Sequence, residues 1–369
     1  MLFNKNKSIT EKKVLAALKN VEDPDLKQDL VTLNMIKDLK VDGKKVEFTV
    51  VLTTPACPMK DHIHHACVNA VKLLVDQEAE VSVNMTAQVL ADKNNEILPQ
   101  VKNIIAISSG KGGVGKSTVA ANLAVSLAAQ GARVALVDAD IYGPSVPILF
   151  GFEDQRPSMT QIDGKDLLVP YDKHGVKLMS IGVLMPADQA VVWRGPMASK
   201  ALKQLIFDTN WGEIDYLLVD LPPGTGDIHL TLVQALPVTG ALVVTTPQRL
   251  ALADTRKGAE MFRMPQINVP ILGIVENMAY FVPDDAPEKR YFIFGEGGGE
   301  QLSQALDSQL LGQIPLQQGI AEHSDQGTPV AVQKEDLQAQ AYHKLAQALA
   351  QQIAIRNAQQ SPTQKVKMI

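Results

Sequence analysis

The chain has 369 residues, and 40 Asp and Glu against 35 Lys and Arg leave a formal net charge of −5. Hydrophobic residues make up 46% of it and charged residues 20%, which is a globular composition and excludes a disordered, collagen-like or disulfide-framed chain. Its length predicts two domains or one large one. The mildly acidic balance provides no general attraction to nucleic acid or to anionic membranes, and we expect neither as a partner.

The compartment is predicted from the cysteines and from the absence of apolar runs. Cys57 and Cys67 are the two cysteines of the chain, too few for a disulfide framework and consistent with a reducing compartment. The N-terminal sequence lacks the apolar run of a secretory signal, and no stretch reaches the length of a membrane span. A cytoplasmic location is therefore expected.

The first hundred residues predict a small α+β domain, expected over residues 1–92. Strands are expected at 36–41 and 46–52, joined at Asp42-Gly43, and a third at 81–90. Between them, Pro58 favours the start of a helix that continues to about residue 74. The polar residues 93–100 are interpreted as a linker.

The pattern changes at Val101. Short, continuous apolar runs alternate with helical stretches, which is typical of parallel strands buried on both faces. These runs are 104–108, 134–137, 216–219, 240–244 and 271–275. We predict an α/β domain with a mostly parallel, doubly wound sheet over residues 101–356. Each run ends in polar or glycine-rich sequence, so one ligand site is expected at the carboxyl edge of the sheet.

A phosphate-binding loop follows the first of these strands. Residues 110–117, GKGGVGKS, fit the pattern G-x-x-x-x-G-K-[ST] between a predicted strand and a predicted helix, and the domain is therefore a P-loop NTPase. Glycines allow successive backbone N–H groups to point at phosphate, Lys116 places a cation near the β- and γ-phosphates, and Ser117 offers Mg²⁺ a hydroxyl. The residues expected to bind ATP here are Gly110, Lys111, Gly112, Gly113, Val114, Gly115, Lys116, Ser117 and Thr118.

Carboxylates at two other strand ends are expected to complete the catalytic set with the lysines. Asp220 closes one apolar strand and is a candidate to hold Mg²⁺ through water. Asp140 follows another and could position the attacking water or the metal. The second lysine of the loop, Lys111, could serve the nucleotide of a neighbouring subunit, as an arginine finger does in trans.

The loop GKGGVGKST resembles the deviant P-loop of the class that contains MinD, ParA, nitrogenase iron protein and Mrp. Further phrases resemble the Mrp/ApbC family of iron–sulfur cluster carriers, with the N-terminal residues resembling the assembly domain that bacterial Mrp proteins carry. These phrases are TTPACPMKD, ISSGKGGVGKST, DADIYGPSVP, WRGPM, DYLLVDLPPGTGD, TTPQ, ENMAYF and IFGEGGGE.

The resemblance implies ATP binding, slow ATP hydrolysis and delivery of iron–sulfur clusters to apoproteins, with assembly factors as further partners. It also implies a homodimer in which Lys111 reaches the partner's nucleotide, and Asn277 as the residue that contacts adenine. One departure concerns the cluster itself. Many family members carry a Cys-x-x-Cys pair after ENM, whereas no cysteine follows Cys67 here, so the family's usual cluster site is absent.

Cys57 is the remaining candidate ligand for a cluster. It is expected just before a helix, where the helix dipole would lower the pKa of the thiol. The alternative is a small, buried, inert side chain. His62, His64, His65 and Cys67 match no strong zinc pattern, and a solvated helix face is the preferred interpretation.

Two other functions stay open. One is a nucleotide-gated adaptor in iron–sulfur assembly that holds no cluster itself. The other is a positioning ATPase like MinD or ParA. Against the latter, the predicted helix 337–355 has a glutamine-rich polar face with little positive charge, whereas a membrane-surface helix needs a basic one. We expect it to pack on its own domain, and residues 357–369 to form a flexible tail.

Overall fold

The computed structural model describes residues 8–92, 97–184, 195–283, 285–333 and 336–360. The chain divides into two compact units, Met1–Leu90 and Ala91–Ile369. Part of the expected linker (93–96), most of the expected tail (361–369) and Trp193 and Arg194 of the phrase WRGPM lie outside the described residues.

The N-terminal unit packs two helices on a small sheet. The sheet has the order β3-β4-β5, with β3 and β4 antiparallel and β4 and β5 parallel. Apolar residues alternate along β4, where Val46, Phe48 and Val50 face the core. The elements are α1 (Glu11–Leu18), β1 (Glu22–Asp23), β2 (Gln28–Asp29), β3 (Ile36–Asp42), β4 (Lys45–Leu52), α2 (Lys60–Leu74) and β5 (Glu80–Ala87).

The larger unit is built on an eight-stranded sheet of order β10-β11-β7-β12-β6-β13-β14-β15. All neighbours in it are parallel except β10 and β11. Its strands, together with the separate hairpin β8–β9, are β6 (Ile104–Ser109), β7 (Val134–Asp138), β8 (Met159–Ile162), β9 (Lys165–Leu168), β10 (Tyr171–Lys173), β11 (Val176–Ser180), β12 (Tyr216–Asp220), β13 (Gly240–Thr245), β14 (Ile271–Glu276) and β15 (Leu310–Gln313).

Helices connect these strands. They are α3 (Lys116–Ala129), α4 (Val146–Leu149), α5 (Gly195–Phe207), α6 (Asp227–Ala235), α7 (Arg249–Arg263), α8 (Gly298–Ala305), α9 (Gln318–Asp325) and α10 (Leu337–Gln359). None of the helices in the described ranges is both long and apolar enough to cross a membrane.

The predicted fold class is confirmed. The five apolar runs form the five adjacent central strands, β7-β12-β6-β13-β14, and nearly all of their residues are buried. The sequence analysis missed β11, in which Lys177 interrupts the apolar run. It also missed β10 and β15, at the two edges of the sheet. Both are short and only partly buried, so they lack the continuous apolar run that marks a central strand.

The C-terminal helix α10 packs against α3, β14 and β15, as expected for a helix that docks on its own domain. Leu345, Leu349 and Ile353 are fully or almost fully buried. The helix continues to Gln359, beyond the expected end at residue 355, so the first residues of the expected tail are helical.

Replacing Leu349 by Ala is expected to lower the free energy of unfolding of the larger unit by about 2–5 kcal/mol, because it opens a cavity in a packed core. The matched change Leu337→Ala, on the same helix but 70% exposed, should stay within about 0.5 kcal/mol of the parent protein. Urea unfolding followed by tryptophan fluorescence measures this unit, since Trp193 and Trp211 both belong to it. Equal losses for the two variants would contradict the assigned packing of α10.

Candidate nucleotide site

The glycine-rich loop 110–115 joins the end of β6 to the start of α3. Gly113 and Gly115 have φ angles of 80° and 77°, in the left-handed region that glycine adopts without strain. Gly115 is the N-cap of α3, so the free N–H groups of the first helical turn open directly behind the loop. A helix N-terminus with this loop geometry is a site for phosphate.

One pocket collects most of the residues predicted to bind nucleotide. Asp140 lines it, together with residues 111–118. Ser109, Gly143, Ser145 and Pro223 also line this pocket, although the sequence analysis did not select them. Gly110, Asp220 and Asn277, which the sequence analysis also selected, are not among the residues that line this pocket.

Two glycines of the loop are required by close packing. A Cβ at Gly110 would collide with the backbone of α7 at Asp254 and Thr255. A Cβ at Gly115 would collide with the side-chain amide of Asn277. The loop therefore packs closely against the backbone of α7 and against Asn277, which follows β14.

Lys116 and Asp220 form a buried ion pair beneath the pocket. The Lys116 Nζ lies 2.5 Å from Asp220 Oδ1, and 3.4 Å from Ser117 Oγ. Asp220 is fully buried, and no described residue donates a hydrogen bond to its second oxygen, Oδ2. A lysine, a hydroxyl and an acidic oxygen with free lone pairs thus meet at the base of the phosphate loop.

Asp138, which sequence reasoning did not select, belongs to the same charged cluster. It lies opposite Asp220 in the register of β7 and β12 and is completely buried. Its carboxylate accepts hydrogen bonds from the Ser180 hydroxyl and from two backbone N–H groups. Burial, and then the negative charge of Asp220, raise the pKa of Asp138 well above its usual range. Its position directly after an apolar strand was the available sequence signal.

Asp140 lies at the pocket wall instead of in the buried cluster. Its Oδ1 accepts hydrogen bonds from the backbone N–H groups of Tyr142 and Gly143, at 3.2 Å and 3.3 Å. This local turn orients one carboxylate oxygen and directs the side chain towards the pocket that the loop encloses.

Asn277 contacts the back of the phosphate loop. Its Nδ2 donates a hydrogen bond to the backbone carbonyl of Val114 at 2.8 Å, and the side chain is buried. Asn277 follows β14 directly, so this bond connects the loop to the strand that leads into the segment 278–293. In that segment Phe281 pairs with Tyr291, and the Arg290 guanidinium lies 4.5 Å from the centre of the Tyr280 ring.

The position of Cys57 differs from the expectation that it directly precedes a helix. The helix α2 begins only at Lys60, with Met59 as its N-cap, so Cys57 lies outside the first turn. The half-buried side chain packs against the apolar core, and burial, aided by Asp25 and Asp23, raises the pKa of the thiol to about 11. The backbone N–H of Met59, at the start of the helix, does lower the pKa, but burial outweighs it, so the expected net lowering of the pKa is wrong.

Cys67 and the neighbouring histidines do not form a metal centre. Cys67 is fully buried in the core of the N-terminal unit, and burial raises the pKa of its thiol to about 12. His62 and His65 are exposed on the other side of α2, in agreement with a solvated face. Within the described ranges, no group of three or more His, Cys, Asp or Glu residues could hold a metal ion.

Together, the parallel sheet, the glycine loop at the N-terminus of α3 and the Lys116–Asp220 pair define a P-loop NTPase. Residues 100–352 match the family described as NUBPL iron-transfer P-loop NTPases, and residues 11–84 match the iron–sulfur cluster assembly protein family. The chain belongs to the iron-transfer P-loop NTPase family and carries an iron–sulfur cluster assembly domain before it. The resemblance stated from the sequence is thereby confirmed.

Individual relatives cover nearly the whole chain. An iron–sulfur cluster carrier protein of Synechocystis sp. is 48% identical over 351 residues, which are 94% of this chain and 99% of the relative. The carrier protein of the same name from Escherichia coli K12 is 44% identical over 344 residues, 92% of this chain and 91% of the relative.

A solved structure is also similar to the larger unit. It is a nucleotide-binding protein from Archaeoglobus fulgidus in complex with ADP, 39% identical, with a TM-score of 0.56. The similarity covers 65% of this chain and 92% of that one.

The thiols of the folded protein are expected to react slowly with iodoacetamide. At about pH 8, Cys57 should be alkylated at least about tenfold more slowly in the native protein than in urea, because burial disfavours the thiolate. Cys67 should react only after unfolding. Mass spectrometry of tryptic peptides measures both rates, and native alkylation of Cys57 as fast as in urea would contradict this assignment.

Proposed function

We propose that this protein binds and hydrolyses ATP and, as a cytoplasmic homodimer, carries iron–sulfur clusters to apoproteins. The observation that carries the ATPase proposal is the glycine loop at the N-terminus of α3, with Lys116 and Asp220 paired at its base. The cargo, the apo iron–sulfur proteins and the assembly factors as partners are supported by the two matched families and by the names of the relatives. Two unpaired thiols agree with a reducing compartment.

The described residues fit a magnesium–nucleotide complex. Ser117 offers a hydroxyl at the first turn of α3, and Asp220 offers an acidic oxygen that accepts no hydrogen bond from a described residue. Hydroxyl and carboxylate oxygens are the ligands that Mg²⁺ prefers. When bound, Mg²⁺ would neutralise the charge that develops on the transferred phosphoryl group.

The lysine and the aspartates have separate tasks in this proposal. Lys116 exchanges Asp220 for the β- and γ-phosphates, which frees the carboxylate to hold Mg²⁺ through water. The loop amides from residues 111–118 bind and orient the phosphates. Asp140, at the pocket wall, positions the attacking water. The contact with adenine is assigned to Asn277 because the resemblance implies it; in the structure its Nδ2 donates a hydrogen bond to the Val114 carbonyl.

Lys111 is proposed to act on the nucleotide of the partner subunit. Its side chain is half exposed at the pocket and forms no ion pair with any described residue. A cation left available at the rim of a phosphate site can stabilise transition-state charge across a dimer interface, as an arginine finger does. This role requires a dimer in the ATP-bound state.

Replacing each of the two loop lysines by Ala is expected to affect nucleotide binding and turnover differently. Lys116→Ala should abolish nucleotide binding or lower turnover by about 100-fold or more, because a cation at the phosphates is lost. Lys111→Ala should keep ADP affinity but lower turnover by roughly 1,000-fold, the scale of a missing finger. Isothermal titration with Mg²⁺·ADP and phosphate release measure the two effects.

Lys12→Ala, an exposed lysine of the N-terminal unit, is the control and should behave as the parent protein. Because Lys116→Ala leaves Asp220 buried without its cation, thermal melts must show that the variant is folded before its loss is interpreted. Unchanged turnover in a folded Lys116→Ala variant would overturn the ATPase mechanism.

Cys57 is the proposed ligand of the cluster cargo. Iron–sulfur clusters are held by thiolates, and a single cysteine in each chain needs a second subunit, an external thiol or a partner to complete a site. Binding of iron would have to displace the thiol proton, which burial holds on sulfur in the free protein.

A second candidate function is the nucleotide-gated adaptor that holds no cluster. Two observations favour it. No cysteine follows Cys67 in the sequence, and burial keeps both thiols protonated near neutral pH.

Anaerobic reconstitution with ferrous iron and sulfide distinguishes carrier from adaptor. As a carrier, the parent protein should bind iron and sulfide and Cys57→Ala should lose most of both, because the chain supplies no other accessible thiol. Cys67→Ala is the matched control and should retain binding if it stays folded. Equal iron in the parent protein and in Cys57→Ala would show that the Cys57 thiol is not a ligand.

A further inference from the structure

His229 is a buried histidine beside the nucleotide site to which neither the sequence nor the family match assigns a role. It is the third residue of α6 and is 1% exposed. The helix follows the loop 222–226, which connects it to Asp220 at the end of β12. His229 therefore follows closely in the chain after Asp220 of the buried ion pair and Pro223 of the pocket wall.

The imidazole fixes the beginning of this loop. Its Nδ1–H donates to the backbone carbonyl of Pro222, since the ring forms one hydrogen bond to that carbonyl and Nε2 has none. The backbone N–H of His229 also donates to the Gly226 carbonyl, so one residue holds both ends of the loop. The Gly224 N–H donates to Ser109, immediately before the phosphate loop.

The second ring nitrogen is a buried acceptor without a donor. No described residue donates a hydrogen bond to Nε2, and Asp220 Oδ2 is in the same condition. Burial, and then the positive charge of Lys116, lower the pKa of His229 to about 4, so the ring is neutral near pH 7 and Nε2 keeps its lone pair. Native proteins rarely leave buried acceptors unsatisfied, and an exception indicates a missing water, ion or ligand.

Lys116 interacts electrostatically with both residues that carry these unsatisfied acceptors. The ammonium group is bonded to Asp220 and contributes to the electrostatic field at His229. In the proposed function Lys116 would pair with the phosphates, and Mg²⁺ held by Ser117 and Asp220 would supply coordinated water as a hydrogen-bond donor. Water O–H groups are the donors that the site lacks, and a metal-bound water is a stronger donor than a free one.

We propose that His229 is a positioning residue for ATP hydrolysis, which holds the loop 222–226 through Nδ1 and accepts at Nε2 a hydrogen bond that forms only when Mg²⁺ and nucleotide are bound. The inference rests on the proposed ATPase function and adds to it a residue outside the phosphate loop. The ring orients the loop and the donor; it neither binds phosphate nor transfers a proton.

Nitrogen-15 NMR of the imidazoles tests the hydrogen bond directly. In the nucleotide-free protein, the Nε2 resonance of His229 should have the position of a bare lone pair. With Mg²⁺ and a non-hydrolysable ATP analogue it should move upfield, as for a nitrogen that accepts a hydrogen bond. His229→Asn assigns the resonance by its disappearance. A resonance that does not move when the analogue binds would overturn the proposal.

Kinetics of two variants test the consequence. His229→Asn keeps a donor near the position of Nδ1 and loses the Nε2 acceptor, whereas His229→Ala loses both. We expect each to bind Mg²⁺·ADP within about threefold of the parent protein and to lose about tenfold or more in kcat, the effect of one hydrogen bond that forms in the Mg²⁺–ATP complex and is stronger in the transition state.

A structural role alone would predict near-normal kcat for the folded Asn variant, and that result would overturn the proposal. His65→Asn, at an exposed position of the N-terminal unit, is the control. If the proposed ATPase function itself is wrong, the parent protein will bind no Mg²⁺·ADP and release no phosphate from ATP. That result is distinct from an effect of the His229 variants alone.

Discussion

The buried ion pair between Lys116 and Asp220 joins the phosphate loop to the central strands of the sheet. Lys116 begins α3 and Asp220 ends β12, so the pair connects the helix that follows the phosphate loop to a central strand of the sheet. Breaking a buried pair by removing one partner costs about 3–5 kcal/mol, because the remaining charge has no compensation. A ligand that draws Lys116 away must therefore supply a replacement for both charges, and a phosphate with a divalent cation does so.

The same constraint explains the other charged groups below the pocket. Asp138 and Asp220 lie opposite each other on adjacent strands, and burial raises the pKa of Asp138 because its anion is costly beside a second carboxylate. Burial, and then the positive charge of Lys116, lower the pKa of His229 and keep its ring neutral. The cluster is thus kept close to electroneutral around the single cation of Lys116.

The two cysteines of the N-terminal unit lie in an apolar environment instead of a charged one. Its core is apolar and includes Cys67, with Cys57 packed at the edge, so both thiols are protonated by the same burial that stabilises the fold. A thiol in this state is a poor ligand until a metal displaces its proton. Because Cys57 is a single ligand, its use for cargo also needs a second subunit, an external thiol or a partner to supply the other ligands.

The sequence by itself determined the α/β class, the five central strands, the glycine loop and the family, because these depend on local signals: continuous apolar runs and a motif of fixed spacing. It could not reveal the edge strands β10 and β15, whose few half-buried residues carry no such pattern. Only the tertiary structure decided that Asp138 faces Asp220, that Asn277 braces Val114 and that His229 lies near Lys116, since these residues are far apart in the chain and meet through strand register and helix packing. It also decided the state of Cys57: a cysteine before a helix looks activated in the sequence, but its pKa depends on desolvation by residues that only folding brings around it.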